Sequence, residues 1–248
     1  MSTDLGARLS ARMTNMEREQ TFPDSEPRDA ATIMLIDRAT DRPKVLLGRR
    51  HHGHKFMPGK FVFPGGRIET LDQAMSAVSE LHPGTQRKLL ERVAAPSPEF
   101  ARGVALAAVR EMAEETGLLL GVQRDEPPAS PGEIWTEFAK ANVHPDLGNI
   151  HFIARAITPP RRPKRFDTRF FTCDATSIAH RIEGVVGPNS ELVELVWLPL
   201  DEATELDMPT ITSVVLEELE ARVEAGMAHD LPVPFYYMQE QTFMRELL

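Results

Sequence analysis

Three glutamates within five residues, Glu111, Glu114 and Glu115, constrain this 248-residue chain more than any other feature. If the segment is helical, their spacing of i, i+3 and i+4 places three carboxylates on one face, about one turn apart. Like charges this close repel one another and destabilise a helix. A hard divalent cation bound through oxygen is the simplest compensation, so the pattern favours a metal site over a solvated acidic helix face.

The sequence also predicts where this helix begins and ends. Ser97, Pro98 and Glu99 supply an N-terminal cap, a proline in the first turn and an acid near the positive end of the helix dipole. Gly117 is expected to end the helix, because glycine accepts the left-handed conformation found just past a C terminus.

The segment from Arg110 to Leu118 resembles the second half of the Nudix hydrolase signature, with its Arg-Glu pair, Glu-Glu pair, glycine and final aliphatic residue. The segment from Phe63 to Glu69 (Phe-Pro-Gly-Gly-Arg-Ile-Glu) resembles the opening of the same signature. Counted from Gly66, the acid of the first half falls on Asp72, a shorter carboxylate than the family's glutamate. Asp72 precedes the arginine by 38 positions, far more than in the family, so the signature is interpreted as split by an insertion.

The resemblance implies an α+β fold, an α/β/α sandwich around a mixed sheet with a helical insertion inside the signature. It also implies hydrolysis of the pyrophosphate bond in nucleoside diphosphate-linked compounds, with Mg²⁺ or Mn²⁺ as cofactor. Carried over by position, Glu111, Glu114 and Glu115 hold the metal and the carbonyl of Gly65 adds a ligand. Arg110 would hold the carboxylates in place through charged hydrogen bonds.

The general base is left open between Glu111 and Glu191. Glu191 lies six residues before Trp197, in a region from which some members of the family take a catalytic glutamate. The alternative is that Glu191 is only the exposed end of a strand.

A narrower resemblance concerns the substrate. Residues 46–66 follow the spacing of the motif that precedes the signature in coenzyme A diphosphatases, with Arg50 and Lys55 at its basic positions and Gly66 at its end. Three positions depart from that motif: Gly48, His51 and Lys55. Coenzyme A or an acyl-coenzyme A is therefore the leading substrate, and ADP-ribose, NADH or a nucleotide sugar is the alternative. A regulator that binds a nucleotide without hydrolysing it is the alternative from another class.

Two basic segments are candidates for contact with substrate phosphate. The first runs from Arg49 to Gly59 and contains His51, His52 and His54; a basic loop is favoured there over a transition-metal site, since no cysteine is near. The second is the proline-rich loop 159–165 and the strand that follows it, from which Arg165 and Arg169 are predicted to bind substrate; solubility is an equal alternative for the loop.

The chain is interpreted as three parts. Residues 1–28 form an N-terminal arm that is mostly mobile, with a helix possible from Leu5 to Met16; residues 29–230 form the hydrolase domain, and residues 231–248 form a tail that packs on the domain or on a dimer partner. Within the domain, residues 73–101 are predicted to form a helical hairpin, because apolar residues recur there at helical spacing around Pro83-Gly84.

Composition excludes several classes of protein. A net charge of −9 argues against a general nucleic-acid binder, and the single cysteine excludes an internal disulfide and a multi-cysteine zinc site. No apolar run approaches the length of a membrane span, and the N-terminal segment lacks the apolar core of a secretory signal. We expect a cytoplasmic protein that acts on a small molecule and binds neither nucleic acid nor membrane, with a homodimer as one option.

Overall fold

A mixed sheet of nine strands forms the centre of the fold in the computed structural model, which describes residues 3–53 and 57–248. The strands are β1 (Arg28–Asp37), β2 (Lys44–Arg50), β3 (Phe61–Val62), β4 (Gly65–Arg67), β5 (Leu118–Leu120), β6 (Val122–Gln123), β7 (Val143–His144), β8 (His151–Ile157), β9 (Phe166–Asp174), β10 (Ile178–Arg181), β11 (Leu192–Pro199), β12 (Pro234–Gln239) and β13 (Thr242–Leu247). The main sheet has the order β11-β2-β1-β9-β8-β12-β13, with β3 on β2 and β4 on β1. The pairs β1–β9 and β8–β12 are parallel and the others in this sheet are antiparallel.

Helices cover both faces of this sheet. They are α1 (Thr3–Asn15), α2 (Pro83–Leu89), α3 (Pro98–Thr116), α4 (Thr136–Lys140), α5 (Leu200–Ala203) and α6 (Thr210–Glu224). Alternate residues of β1 divide between two cores: Ile33 and Leu35 pack with α3, whereas Met34 and Ile36 pack with α1 and α6. The expected α/β/α sandwich around a mixed sheet is confirmed. Within the described residues, no helix combines the length and apolar character that crossing a membrane requires.

Helix α3, which carries the three glutamates, begins and ends where the sequence predicts. The Ser97 hydroxyl accepts a hydrogen bond from the Phe100 N–H at 3.1 Å, and Pro98 occupies the first turn. Gly117 closes the helix with a φ of 76°, in the left-handed region. A Cβ at Gly117 would also lie 2.3 Å from the carbonyl oxygen of Ile182, so both conformation and space require glycine there.

The predicted helical hairpin at 73–101 is wrong. Residues 70–74 form a single 3₁₀ turn, α2 is only seven residues long, and the residues from Pro98 onwards already belong to α3. Between these helices the chain is held by another loop, since the Val78 N–H donates to the Pro145 carbonyl at 2.8 Å and Ser79 bridges to Asp146. These tertiary hydrogen bonds override the weak local preference for helix.

Both ends of the chain pack on the sheet. Residues 3–15 form α1 and bury Leu9 and Met13 in the core, which contradicts the expected mobile arm for this part of the chain. The C-terminal strands β12 and β13 extend the main sheet beyond β8, and the phenol of Tyr236 donates to the buried Glu218 carboxylate.

Three histidine rings stack beside α2. The ring centroids of His82 and His229 are 4.2 Å apart, and those of His151 and His229 are 4.0 Å apart, with nearly parallel planes. Burial, together with the charges of the neighbouring His229 and Arg222, lowers the pKa of His151 to about 4. The pKa of His229 is also lowered, first by burial and then by His82. Burial therefore favours the neutral imidazole at His151 and His229.

We expect the protein to lose stability as the pH falls from about 6.5 to about 4. In this window an unfolded His151 binds a proton whereas the folded one does not, so unfolding takes up protons and becomes more favourable at lower pH. Thermal melts across this range should show a smaller pH dependence for His151→Phe, which keeps an aromatic ring in the stack. The exposed His180 supplies the control, since His180→Phe should melt with the pH dependence of the unchanged protein.

Candidate active site

The side chain of Arg110 joins the two halves of the split signature. Its Nε and Nη2 donate to the two carboxylate oxygens of Asp72 at 2.8 and 3.1 Å, and Nη2 also donates to the Arg67 carbonyl at 2.8 Å. Its Nη1 donates to Glu111 at 2.8 Å and to Glu114 at 3.0 Å. All five N–H donors of the guanidinium are thereby used in a site where Arg110 is only 2% exposed. The contact brings Asp72, the predicted acid of the first half, against the arginine of the second half.

The two glycines of β4 allow the backbone to lie directly against the carboxylates. A Cβ at Gly66 would lie 2.4 Å from a carboxylate oxygen of Glu111, and a Cβ at Gly65 would lie 2.1 Å from the hydroxyl of Thr32 on β1. Any larger residue at either position would push β4 away from α3 or from β1. The Gly-Gly pair therefore sets how closely the loop approaches the acidic face.

Glu115 is a buried carboxylate with unsatisfied charge. The residue is 7% exposed, it accepts a hydrogen bond from the backbone of Gly65, and its Oε2 has no hydrogen-bond partner. Burial raises its pKa well above the usual range, and the charges of Glu191 and Glu111 raise it further, while Arg50 acts in the opposite direction. A buried carboxylate oxygen without a partner is costly, so this position favours a bound cation.

The pKa values of the other two glutamates of the face, Glu111 and Glu114, are also raised. Burial raises the pKa of Glu111 to about 6 even though Arg110 lowers it, and burial also raises the pKa of Glu114. Carboxylate donors with raised pKa values fit a divalent cation chemically. Within residues 3–53 and 57–248, however, no group of three or more His, Cys, Asp or Glu side chains stands in a metal-binding arrangement, and Arg110 holds two of the three glutamates. The metal ligands therefore stay a prediction.

A cleft of about 300 Å³ is lined by Gly65 and Gly66, which lie against Glu115 and Glu111, whereas the three glutamates of α3 are not themselves among its lining residues. Its walls bring together four of the sequence-predicted residues: Arg50, Gly65, Gly66 and Glu191. The Arg50 guanidinium contacts the Glu191 carboxylate at 2.9 Å, and both act electrostatically on Glu115. The second candidate base thus lies in the cleft beside the acidic face.

Arg165 and Arg169 do not line this cleft, contrary to the sequence-based prediction. Arg165 donates to the Asp24 carboxylate at 2.9 Å and to the Thr158 carbonyl at 3.1 Å. Arg169 is 1% exposed and pairs with Asp29 and Asp167 on the α3 side of the sheet. Both arginines are engaged by carboxylates and carbonyl groups of the protein.

The basic residue of this region that does line the cleft is Lys164, which the sequence reading did not single out. The alternation of side chains along a strand could have predicted the orientation of Arg169 from the sequence. Thr168 and Phe170 on β9 face the cleft, so Arg169 between them must face the opposite side. The predicted substrate contact Lys55 and the neighbouring His54 lie outside the described residues.

Comparisons with known proteins by sequence and by structure point to the same kind of protein, although no protein-family profile matches the chain. The human acyl-coenzyme A diphosphatase NUDT19 is 25% identical over 282 residues, which covers 83% of this chain and 75% of the human protein. The Xenopus laevis acyl-coenzyme A diphosphatase NUDT19 is 24% identical over 209 residues, and the match covers 65% of this chain and 54% of the frog protein. The chain thus spans about half the length of the frog relative.

A solved structure with the same overall fold matches most of this chain. The crystal structure of a NUDIX hydrolase from Alicyclobacillus acidocaldarius superimposes with a TM-score of 0.60 at 28% sequence identity, and the match covers 84% of this chain and 97% of that protein. The resemblance therefore extends over most of this chain and nearly all of that protein.

Proposed function

We propose that this chain, which belongs to the Nudix hydrolase superfamily, hydrolyses the pyrophosphate bond of a nucleoside diphosphate-linked compound with a divalent cation as cofactor. The arrangement around Arg110 carries the proposal, because it sets three glutamates beside a cleft and leaves a buried oxygen of Glu115 without a partner. A purely structural acidic helix face would not bury such a group, since an unpaired carboxylate lowers stability.

Different residues of the site would bind the metal, position the glutamates and accept the proton of the attacking water. Glu111, Glu114 and Glu115 would hold Mg²⁺ or Mn²⁺, which when bound supplies positive charge to the diphosphate oxygens and to the attacking water. Arg110 positions Glu111 and Glu114 and does not face the cleft. The oxygen of water bonds to phosphorus, the bridging P–O bond breaks, and the leaving phosphate keeps the electron pair. A carboxylate of the site accepts the proton of the water.

Glu191 suits the role of general base better than Glu111. Its side chain is 44% exposed and lines the cleft, whereas Glu111 is nearly buried and is held by Arg110. The Arg50 guanidinium at 2.9 Å keeps the Glu191 carboxylate at the wall of the cleft.

We expect Glu191→Gln to lower kcat by about 10²-fold, the usual loss when a general base is removed. Glu194 offers a matched control, because its side chain is 45% exposed and pairs with Arg49 at 2.8 Å, but it does not line the cleft. Steady-state kinetics of both variants should show the loss for Glu191→Gln alone. An unchanged kcat in Glu191→Gln would transfer the role of base to Glu111.

Coenzyme A and its acyl thioesters are the substrates that we propose. The motif at residues 46–66 resembles that of coenzyme A diphosphatases, and the two curated relatives are named acyl-coenzyme A diphosphatases. ADP-ribose, NADH and nucleotide sugars are the alternative, since they carry the same diphosphate linkage. The remaining alternative is a regulatory protein that binds a nucleotide without hydrolysing it.

A hydrolysis panel separates these functions. Coenzyme A, octanoyl-coenzyme A, ADP-ribose and NADH would be incubated with Mg²⁺ or Mn²⁺ and the products identified by mass spectrometry. We expect the coenzyme A compounds to have the highest kcat/KM and to yield adenosine 3′,5′-bisphosphate together with a 4′-phosphopantetheine product. A higher kcat/KM for ADP-ribose or NADH would refute the coenzyme A assignment, and no turnover of any compound would favour the regulator.

A further inference from the structure

An apolar cavity continues from the catalytic cleft across the sheet. It has a volume of about 140 Å³, and we name it the distal pocket; its far end is lined by Met13, Met16 and Phe243. The two spaces share wall residues, namely Met57, Thr158, Lys164, Thr168, Phe170, Pro209 and Ile211. A ligand in the cleft can therefore extend into the distal pocket without leaving the protein surface.

The side chains of the distal pocket suit an apolar ligand. Met13 belongs to α1, Phe243 belongs to β13, and Ile157 ends β8, so elements from both ends of the chain complete the walls. Met16 is 41% exposed, which leaves a large apolar side chain facing solvent at the margin of the pocket. Methionine side chains adapt to apolar ligands of different shape because they are unbranched and polarisable.

Charge changes along the path from the cleft to the distal pocket. Lys164 lies on the wall that both spaces share, whereas Glu191 and Arg50 line only the cleft. Beyond Lys164, Arg18 and Arg162 line the wall together with apolar side chains, and the Arg18 guanidinium stacks over the Phe243 ring at 5.1 Å. A ligand that is anionic in the cleft and apolar beyond Lys164 matches this sequence of surfaces.

Distances across the sheet indicate which part of such a ligand reaches the far end. From Gly65 on β4 the path crosses β1, β9, β8 and β12 to Phe243 on β13. Five steps between strands amount to about 24 Å. The pantetheine arm of coenzyme A spans about 14 Å if its bonds extend as a peptide chain does. About 10 Å then remains, which is the reach of a chain of about eight carbons.

We propose that the distal pocket binds the acyl chain of an acyl-coenzyme A, so that chain length determines the preferred substrate. The inference rests on the proposed function, because it assumes that the diphosphate of a coenzyme A thioester lies in the cleft. The volume is consistent with this ligand, since a cavity of about 150 Å³ in another protein accommodates benzene. Binding in the pocket buries apolar surface of the chain and thereby favours the acylated substrate over free coenzyme A.

The test compares chain lengths in the whole protein and in two matched variants. Met16 and Met244 are both 41% exposed, but only Met16 lines the distal pocket. For the unchanged protein we expect kcat/KM to rise from acetyl- to octanoyl-coenzyme A. Met16→Glu should lower the ratio of octanoyl- to acetyl-coenzyme A kcat/KM about tenfold, the equivalent of losing the burial of about two methylene groups. Met244→Glu should retain the ratio of the unchanged protein.

The outcomes separate this inference from the function on which it rests. Hydrolysis of both thioesters with a ratio that is unaffected by chain length or by Met16→Glu would overturn the acyl pocket and leave the coenzyme A assignment standing. An equal fall of the ratio in Met244→Glu would also overturn it, since the effect would then be one of added charge. If neither thioester is cleaved, the proposed substrate is wrong and the pocket assignment falls with it. Circular dichroism of each variant shows that the fold is retained.

Discussion

Glu115→Gln should lower turnover by about 10³-fold while the protein stays folded. The substitution keeps the size of the side chain but removes the charge that would bind the cation. A metal ion contributes several kcal/mol to the transition state, and each 1.36 kcal/mol corresponds to a factor of ten in rate. Glu114→Gln should also remove most activity, although Glu114 is more exposed and is held by Arg110.

Stability provides a second measurement for Glu115→Gln that does not depend on activity. Without a divalent cation the variant should be at least as stable as the unchanged protein, because burial and the charges of Glu191 and Glu111 already disfavour the ionised carboxylate. Mg²⁺ or Mn²⁺ should raise the melting temperature of the unchanged protein and have a smaller effect on the variant. Wild-type turnover together with an unchanged metal response would rule out Glu115 as a ligand.

Arg110→Lys should destabilise the protein by about 3–5 kcal/mol, the typical effect of breaking a buried ion pair. Arg110 satisfies both oxygens of Asp72, a residue with 0% exposure, and lysine cannot reproduce the planar two-point contact. The loss would leave a buried carboxylate incompletely paired and release Glu111 and Glu114 from their fixed positions. Urea unfolding measures the change in the free energy of unfolding.

Arg102→Lys is the matched control for this prediction. Arg102 on the same helix also pairs with a carboxylate, since its Nε donates to both oxygens of Glu80 at 3.1 and 3.0 Å, but that glutamate side chain is 64% exposed. Exposed ion pairs contribute about 0–1 kcal/mol, so this variant should unfold close to the unchanged protein. Equal destabilisation by the two substitutions would contradict the view that burial makes the Arg110 contact important.

The sequence determined those features of the site that depend on residues close together in the chain. The capping residue Ser97, the terminating Gly117 and the spacing of the three glutamates act within one helix, and the structure agrees with each of them. The buried strand around residues 30–36 was also predictable, because its apolar side chains serve both faces of the sheet.

Only the tertiary structure decided which distant residues meet. Asp72 reaches Arg110 across 38 positions, residues 76–79 are held by a distant loop instead of forming a helix, and α1 and β13 complete a pocket from the two ends of the chain. Arg169 faces α3 whereas Lys164 faces the cleft. Both are basic residues of the same segment, so residue type alone does not distinguish them. Helix caps and periodicity are local preferences that a short segment expresses by itself. Burial, ion pairing and cavity shape depend on contacts between remote segments, which exist only once the chain has folded.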